Sequence, residues 1–143
     1  MRAVKTLLLL LSLGAASVTS PAAAPTAEDP VIELSLLDLM SIDYRPGKRL
    51  PKWARALDGR RVRVEGYMAL GTPEGIDKFE LVWDSCGCGQ SNVNHFIEVT
   101  LTDETTTFDP DIIYVEGELS VGEIREDGFV VSLFRLKAQT VSK

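Results

Sequence analysis

From Arg60 onward, apolar and polar residues alternate with a period of two, which is the pattern of a half-buried β-strand. The first alternating run extends from Arg60 to Leu70 and contains a glycine, Gly66, which predicts a bend or bulge in the strand. The apolar positions of this run share one face, which we expect to be buried: Val62, Val64, Met68 and Leu70.

Four more strands are predicted, and most are separated by residues that favour turns. The clearest breaks are Thr72–Gly75, Asp109-Pro110 and Asp127-Gly128. A second internal glycine, Gly117, predicts another bend. The four strands are predicted over Phe79–Trp83, His95–Leu101, Ile112–Leu119 and Phe129–Leu136.

The residues before the first strand are predicted to form a lead-in segment and one short helix. Val31–Ile42 is apolar, but its period fits both a strand and a helix, and we expect it to pack against the domain. Tyr44–Gly47 is a predicted turn. Leu50–Leu57 has helical spacing, and Gly59 can end the helix in a left-handed conformation. The helix face predicted to be buried consists of Leu50, Trp53, Ala54 and Leu57.

Five strands with turns between them and two internal glycines are typical of a small, strongly bent sheet. The predicted fold class is therefore mainly β, a small five-stranded antiparallel OB-like barrel with a short N-terminal helix. An open sandwich is the alternative. The chain length of 143 residues fits one such domain, which we place over residues 28–143.

The first 27 residues have the three parts of a secretory signal followed by an Ala/Pro-rich linker. Two basic residues, Arg2 and Lys5, precede the leucine-rich run Leu7–Leu13, and small residues follow it. Cleavage is expected near Ala16, Ala24 or Ala27. The sequence therefore predicts an exported protein, periplasmic or secreted, that is soluble after removal of the signal peptide.

The charge of the chain disfavours one class of partner. Its 15 basic and 21 acidic residues give a net charge of -6, which becomes -8 when Arg2 and Lys5 are lost with the signal. We therefore expect no nucleic-acid partner. No apolar run reaches the length of about 20 residues that a membrane span needs, so no transmembrane segment is predicted. A monomer is expected, and a protein partner is left open.

Basic and acidic residues are also separated along the chain. Eight basic residues lie between Arg45 and Arg63, whereas Phe79–Ile124 contains ten acidic residues and no Lys or Arg. One interpretation is a basic surface, with Tyr44 and Trp53 nearby, that binds an anionic partner or lipid headgroups. We favour the alternative, in which the two blocks pair across neighbouring strands and the remaining charges are solvated.

Both cysteines and the only histidine lie in one predicted loop, Asp84–His95. Thiolates and imidazole are ligands for Zn²⁺ or copper, so one hypothesis is a metal site. A second is a disulfide between the two cysteines, which export would favour. A third is that these are ordinary loop residues. The predicted metal ligands are Cys86, Cys88, His95 and Asp84.

No catalytic set is predicted in this loop. A thiolate–imidazole pair is conceivable there, but no oxyanion hole or substrate pocket can be identified, so a non-enzymatic protein is favoured. Asn92 and Asn94 are interpreted as turn residues whose amides satisfy the backbone of the loop.

One stretch of sequence resembles a known group of proteins. The run Leu57-Asp-Gly-Arg-Arg-Val-Arg-Val-Glu-Gly-Tyr-Met68, followed by a cysteine-bearing loop, an Asn and a Val-x-Gly strand, is similar to a family of uncharacterised exported bacterial proteins. The resemblance covers about Leu50–Leu136. It implies an OB-like periplasmic protein that serves metal handling or transport. The family usually has adjacent cysteines followed by prolines, and Cys86-Gly-Cys88 departs from that pattern.

Two functional hypotheses follow. The first is an exported, non-enzymatic OB-like binding module that binds a transition metal through the Cys-Gly-Cys loop and the nearby His95. The second is a structural or partner-binding periplasmic accessory protein with a Cys86–Cys88 disulfide and no metal.

Overall fold

The computed structural model describes residues 30–86 and 92–143. The predicted signal peptide and linker, as well as Cys88, lie outside these ranges. The described chain is mainly β, as predicted, and contains six strands and two short helices. The elements are β1 (Ile32–Leu34), α1 (Leu36–Met40), α2 (Lys52–Arg55), β2 (Arg60–Met68), β3 (Lys78–Val82), β4 (Phe96–Leu101), β5 (Ile113–Glu126) and β6 (Phe129–Ser142). None of the helices in these ranges is long and apolar enough to cross a membrane.

All six strands belong to one mixed sheet with the order β1-β2-β3-β4-β6-β5. An additional pairing between β2 and β5 joins the ends of this order, so β2, β3, β4, β6 and β5 form a ring of hydrogen-bonded neighbours. The prediction of a purely antiparallel sheet is wrong for two pairs, because β1–β2 and β4–β6 are parallel. A parallel pair needs a long connection, and the whole of β5 provides it between β4 and β6.

The lead-in segment, whose period is ambiguous, contains both kinds of structure. Its first part is β1, which pairs with the start of β2, and its second part is the single turn α1. The Ser35 hydroxyl accepts a hydrogen bond from the Leu37 N–H and begins that turn. Leu36 and Leu39 are fully buried, so α1 packs firmly against the sheet.

The helix predicted over Leu50–Leu57 is reduced to the single turn α2. Leu50 and Ala54 are buried as expected, but Trp53 is 44% exposed and does not belong to the buried face. One turn is too short to turn all four predicted positions toward the sheet. Gly59 has a φ of 70°, which confirms the left-handed end of this segment.

The core fills the interior of the ring of strands. Val62 and Val64 of β2 are fully buried, but Leu70 is 57% exposed because β2 ends at Met68. The largest fully buried side chain is Phe134 of β6. The other fully buried core residues on strands are Leu81, Ile97, Val99, Val115, Leu119, Leu133 and Leu136.

The last two strands are longer than predicted and form a hairpin. Asp127 and Gly128 have φ values of 48° and 86°, the positive values that a two-residue type I′ turn requires. The predicted Asp-Gly turn is therefore confirmed. The strands on either side extend beyond the predicted ends at Leu119 and Leu136.

Gly117 lies at an irregularity in this hairpin, which confirms the predicted bend. It is opposite Val62 of β2 and Ala138 of β6, and the register shifts between Glu116 and Gly117. A Cβ atom at this position would collide with the backbone carbonyl of Lys137. Glycine is thus required here because a neighbouring backbone approaches too closely for any side chain.

A second irregularity of β5 turns Glu123 toward the loop that follows α1. The register shifts between Val121 and Ile124, so one extra residue bulges out of β5. Glu123 Oε1 accepts hydrogen bonds from the Tyr44 hydroxyl at 2.6 Å and from the Gly47 N–H at 2.8 Å. Arg125 binds the other carboxylate oxygen at 2.7 Å. This carboxylate therefore attaches the predicted turn Tyr44–Gly47 to the sheet.

These contacts change the acidity of both partners. The hydrogen bonds from Tyr44, Gly47 and Arg125 lower the pKa of Glu123 to about 2. Burial, followed by the Glu123 carboxylate, raises the pKa of Tyr44 to about 12. Because the folded protein holds Glu123 ionised, this carboxylate stabilises the fold above its ordinary pKa of 4.5, and the contribution is lost as the pH falls toward 2.

Glu123→Gln is therefore expected to flatten the acid limb of the stability profile. The wild-type protein should lose stability faster than this variant between pH 4.5 and pH 2, because a glutamine side chain takes up no proton. Urea denaturation across this pH window would measure the difference. Glu126→Gln, an exposed change of the same charge near the end of β5, is the control. Parallel acid limbs for wild type and Glu123→Gln would contradict the assignment.

Candidate binding site beside the cysteine loop

The cysteine loop connects β3 to β4, and the structure describes both of its ends. At the first end, Cys86 is exposed, and its Sγ lies 3.0 Å from Oδ1 of Asp84. Cys86 is not a free thiol. Asp84 and Cys86, two of the four predicted metal ligands, are therefore neighbours.

At the other end of the loop, His95 directly precedes β4 and is partly buried. Its backbone N–H donates to the Asn92 carbonyl at 2.9 Å. Its ring Nε2 lies 3.5 Å from the Asn92 side-chain nitrogen. Asn92 therefore lies in a turn through its backbone carbonyl, and its side-chain amide is the neighbour of the histidine ring; the predicted bonds of that amide to the loop backbone stay a prediction.

The predicted metal ligands are not brought together as a set within the part of the chain that the structure describes. No three His, Cys, Asp or Glu side chains in residues 30–86 and 92–143 are close enough to hold one ion. This covers Asp84, Cys86 and His95. Cys88 lies outside the described residues, so the four-residue site remains a prediction.

Asn94 has a different role from the predicted one. Its side chain is 5% exposed, and its amide nitrogen donates to the carbonyl oxygens of Leu39, Met40 and Ile42 at 3.1–3.3 Å. Leu39 and Met40 lie in the last turn of α1 and Ile42 just after it, and the last carbonyls of a helix lack their full set of intrahelical partners. The Asn94 amide therefore donates to backbone carbonyls of the lead-in segment and not to the cysteine loop. These bonds attach α1 to the start of β4.

A groove lies next to the first end of the cysteine loop, and sequence reasoning missed it. It runs over the outer face of β2, between the residues that follow β3 and the residue that precedes β5, and has a volume of about 380 Å³. We call it the Trp83 groove. Its lining residues are Glu65, Gly66, Tyr67, Trp83, Asp84, Ser85 and Ile112.

The groove has an apolar and aromatic floor. Trp83 was predicted as the last residue of a strand, but β3 ends at Val82 and the indole is 41% exposed. Ile112 is 40% exposed on the opposite side. Tyr67 is partly buried because it packs on a small outer cluster formed by Ala69, Val82 and Phe96. Exposed aromatic surface held on a rigid base is typical of binding sites.

Carboxylates lie at the same groove. Glu65 contributes one, and it accepts a hydrogen bond from the Tyr114 hydroxyl, which raises the pKa of that tyrosine. Asp84 contributes the other, beside Cys86. The lining residues include no Lys or Arg. The groove therefore combines aromatic surface with two acidic side chains.

Two other depressions of the described surface are lined by Phe79 together with acidic side chains, but Phe79 is only 6% exposed and each is also lined by a lysine, Lys143 in one and Lys78 in the other. Two further depressions lack the combination. One of about 410 Å³ lies between Leu101–Glu104 and Ala138–Val141, and one of about 430 Å³ lies around Arg135. No aromatic residue lines either of them. The Trp83 groove is thus the best candidate for binding among these surfaces, because it alone joins a well-exposed aromatic side chain to acidic residues without a basic one.

The comparisons with known proteins support the fold. No protein-family model matches the chain, and no curated protein matches it. The chain is similar in structure to a DUF3299 family protein from Pseudomonas aeruginosa PAO1, whose crystal structure has a resolution of 2.45 Å. The match has a TM-score of 0.54 and 17% sequence identity, and it covers 79% of this chain and 95% of the other. At this identity the likeness shows a shared fold with one member of an uncharacterised family.

Proposed function

We propose that this protein is an exported, non-enzymatic binding module built on an OB-like barrel. The ring of five paired strands, the parallel β4–β6 pair and the bend at Gly117 support the barrel. The basic start, leucine-rich run and small residues of the first 27 positions support export.

The observation that carries the binding function is the exposed aromatic groove at the cysteine loop. Trp83 is 41% exposed although its neighbour Val82 is buried, and leaving an indole in water has a cost that burial by a partner would remove. The carboxylates of the groove make no acid–base pair with a histidine in the described structure, so binding explains the groove better than catalysis does.

The two cysteines are best explained as a disulfide that closes the loop beside this groove. Cys86 is not a free thiol, the chain contains one other cysteine, Cys88, and export places the loop in an oxidising compartment. The protein is then a partner-binding accessory protein, with the disulfide limiting the motion of the loop.

A metal site in the same loop is the second candidate function. The 3.0 Å distance between Cys86 Sγ and Asp84 Oδ1 supports it, because both atoms are metal-ligand types. Cys88 would have to complete the site, since Asp84, Cys86 and His95 are not close enough to hold one ion together. Zn²⁺ and copper are the ions that this donor set prefers.

Intact mass spectrometry of the protein exported to a bacterial periplasm separates these proposals. We expect a mature chain that lacks the signal peptide and is two hydrogens lighter than its fully reduced form, with no metal adduct under native conditions. Cys86→Ser is the control, because it removes the disulfide and leaves one free thiol. A native metal adduct that is lost in Cys86→Ser would instead establish the metal site. Retention of residues 1–27 in the periplasmic fraction would contradict the predicted signal peptide.

A further inference from the structure

We propose that the Trp83 groove binds an arginine or lysine side chain from a basic, extended segment of a partner protein. This inference rests on the proposed binding function and specifies its ligand class. Two observations support it. The groove is lined by acidic and not by basic residues, and the same sheet face already holds an arginine side chain over a tyrosine ring next to a carboxylate.

The charged side chains that line the groove are all acidic, which favours a positively charged ligand. Glu65 and Asp84 line the groove, and no described lining residue is basic. The adjoining loop residues 87–91 are Gly-Cys-Gly-Gln-Ser, so the sequence of the loop supplies no Lys or Arg either. The whole stretch Phe79–Ile124 lacks both residue types. Apart from Arg63, which lies over the Tyr114 ring beside the groove, a cation that enters the groove must therefore come from a distant part of the chain or from a partner.

The sheet face next to the groove shows how this surface holds a cation. The Arg63 guanidinium lies over the Tyr114 ring, 4.8 Å from its centre. The hydroxyl of the same tyrosine is hydrogen-bonded to Glu65, which is also a lining residue of the groove. One cation is thus already bound on an aromatic face beside a carboxylate, an arrangement in which both groups attract the positive charge.

The groove repeats those two components on the other side of Glu65. Trp83 provides the aromatic face, and tryptophan is the best aromatic partner for a cation. Asp84, the next residue, provides the second carboxylate. Ile112 and Tyr67 supply apolar surface for the methylene groups of a long basic side chain. The volume of about 380 Å³ suits one such side chain with its flanking backbone.

Fluorescence anisotropy of a dye-labelled Gly-Arg repeat peptide, titrated with the mature protein, tests this inference. The same peptide with citrulline in place of arginine is the ligand control, since citrulline keeps the shape and loses the charge. We expect saturable binding of the arginine peptide that weakens with added salt, and no binding of the citrulline peptide.

Two variants locate the binding site. Trp83→Ala is expected to weaken peptide binding at least tenfold, and Glu65→Gln is expected to weaken it several-fold. Trp53→Ala is the matched control, because that indole is similarly exposed at 44% and lies on α2, away from the groove lining. Trp53→Ala should bind as the wild type does. Circular dichroism melting of each variant verifies that it is folded.

Three outcomes would overturn the inference. Equal binding by Trp83→Ala and the wild type would show only a general attraction of basic peptides to an acidic protein. Equal binding of the citrulline peptide, with loss in Trp83→Ala, would show a groove that binds peptides without selecting for charge; the proposed binding function would then stand. Absence of any peptide binding by the folded wild-type protein would show that the groove does not bind basic side chains. The mass spectrometry described above would still test whether the cysteine loop holds a disulfide or a metal.

Discussion

Gly117→Ala is expected to destabilise the fold by about 3 kcal/mol, the upper end of what forced overpacking of a core position usually costs. The new Cβ would meet the Lys137 carbonyl and the Ala138 Cα of β6. These are backbone atoms, so no side-chain rotation can make room. Because Gly117 also pairs with Val62, a shift of β5 away from β6 would disturb its register with β2 as well.

Urea denaturation at neutral pH would measure this effect against two other variants. Gly66→Ala should cost less, because its Cβ would lie 2.8 Å from the Val82 carbonyl and otherwise contact the movable side chains of Leu36 and Leu81. Ser120→Ala, on the same strand as Gly117, should change stability by less than about 0.5 kcal/mol. A Gly117→Ala protein as stable as Ser120→Ala would show that β5 and β6 are not as close as described.

Asn94→Asp is expected to destabilise the protein at neutral pH by about 3 kcal/mol or more, because it leaves a buried charge without a partner. The amide donates to three carbonyl oxygens at the end of α1, and a carboxylate of the same shape would present only acceptors to them. Repulsion among oxygens would replace attraction, and α1 would lose its attachment to β4.

The same substitution has a definite pH dependence. The carbonyls favour the protonated acid, so the pKa of the introduced carboxyl is raised in the folded state above its unfolded value of about 3.9. The loss of folding free energy caused by Asn94→Asp is therefore largest above the raised pKa, and it becomes smaller as the pH falls through that pKa. Comparing urea denaturation at pH 7 and pH 5 would detect this change before Glu123 begins to lose its contribution.

Asn92→Asp is the control for this prediction. It makes the same chemical change two residues earlier, at an exposed position. We expect a stability change of less than about 0.5 kcal/mol there, as for most exposed substitutions. Equal effects at the two positions would contradict the anchoring role of Asn94.

The charge blocks show how far sequence reasoning extends. The favoured prediction was that basic and acidic residues pair across neighbouring strands, and Arg61 of β2 does form an ion pair with Glu116 of β5. Arg45 and Lys48, however, pair with Asp43 in their own loop. The block pattern could not distinguish these cases, because it contains no information on which strands are neighbours.

The candidate site shows the same limit. Cys86, Asp84 and His95 were identified from residue type and spacing along one loop. The groove was not, because its walls come from three separate segments, around Tyr67, Trp83 and Ile112. A composition signal did exist in the absence of Lys and Arg from Phe79–Ile124, but it could not show that a concave surface lies there.

The sequence by itself determined the local features of this protein. Alternation of apolar residues identified the strands, Asp127-Gly128 identified the hairpin turn, and Gly117 identified a bend, because these patterns depend on backbone preferences and burial within a few residues. Only the tertiary structure decided the parallel β4–β6 pair, the contact of Tyr44 with Glu123 79 residues away, and the role of Asn94. Such contacts depend on which distant segments the closed ring of strands brings together, and no local preference encodes that choice.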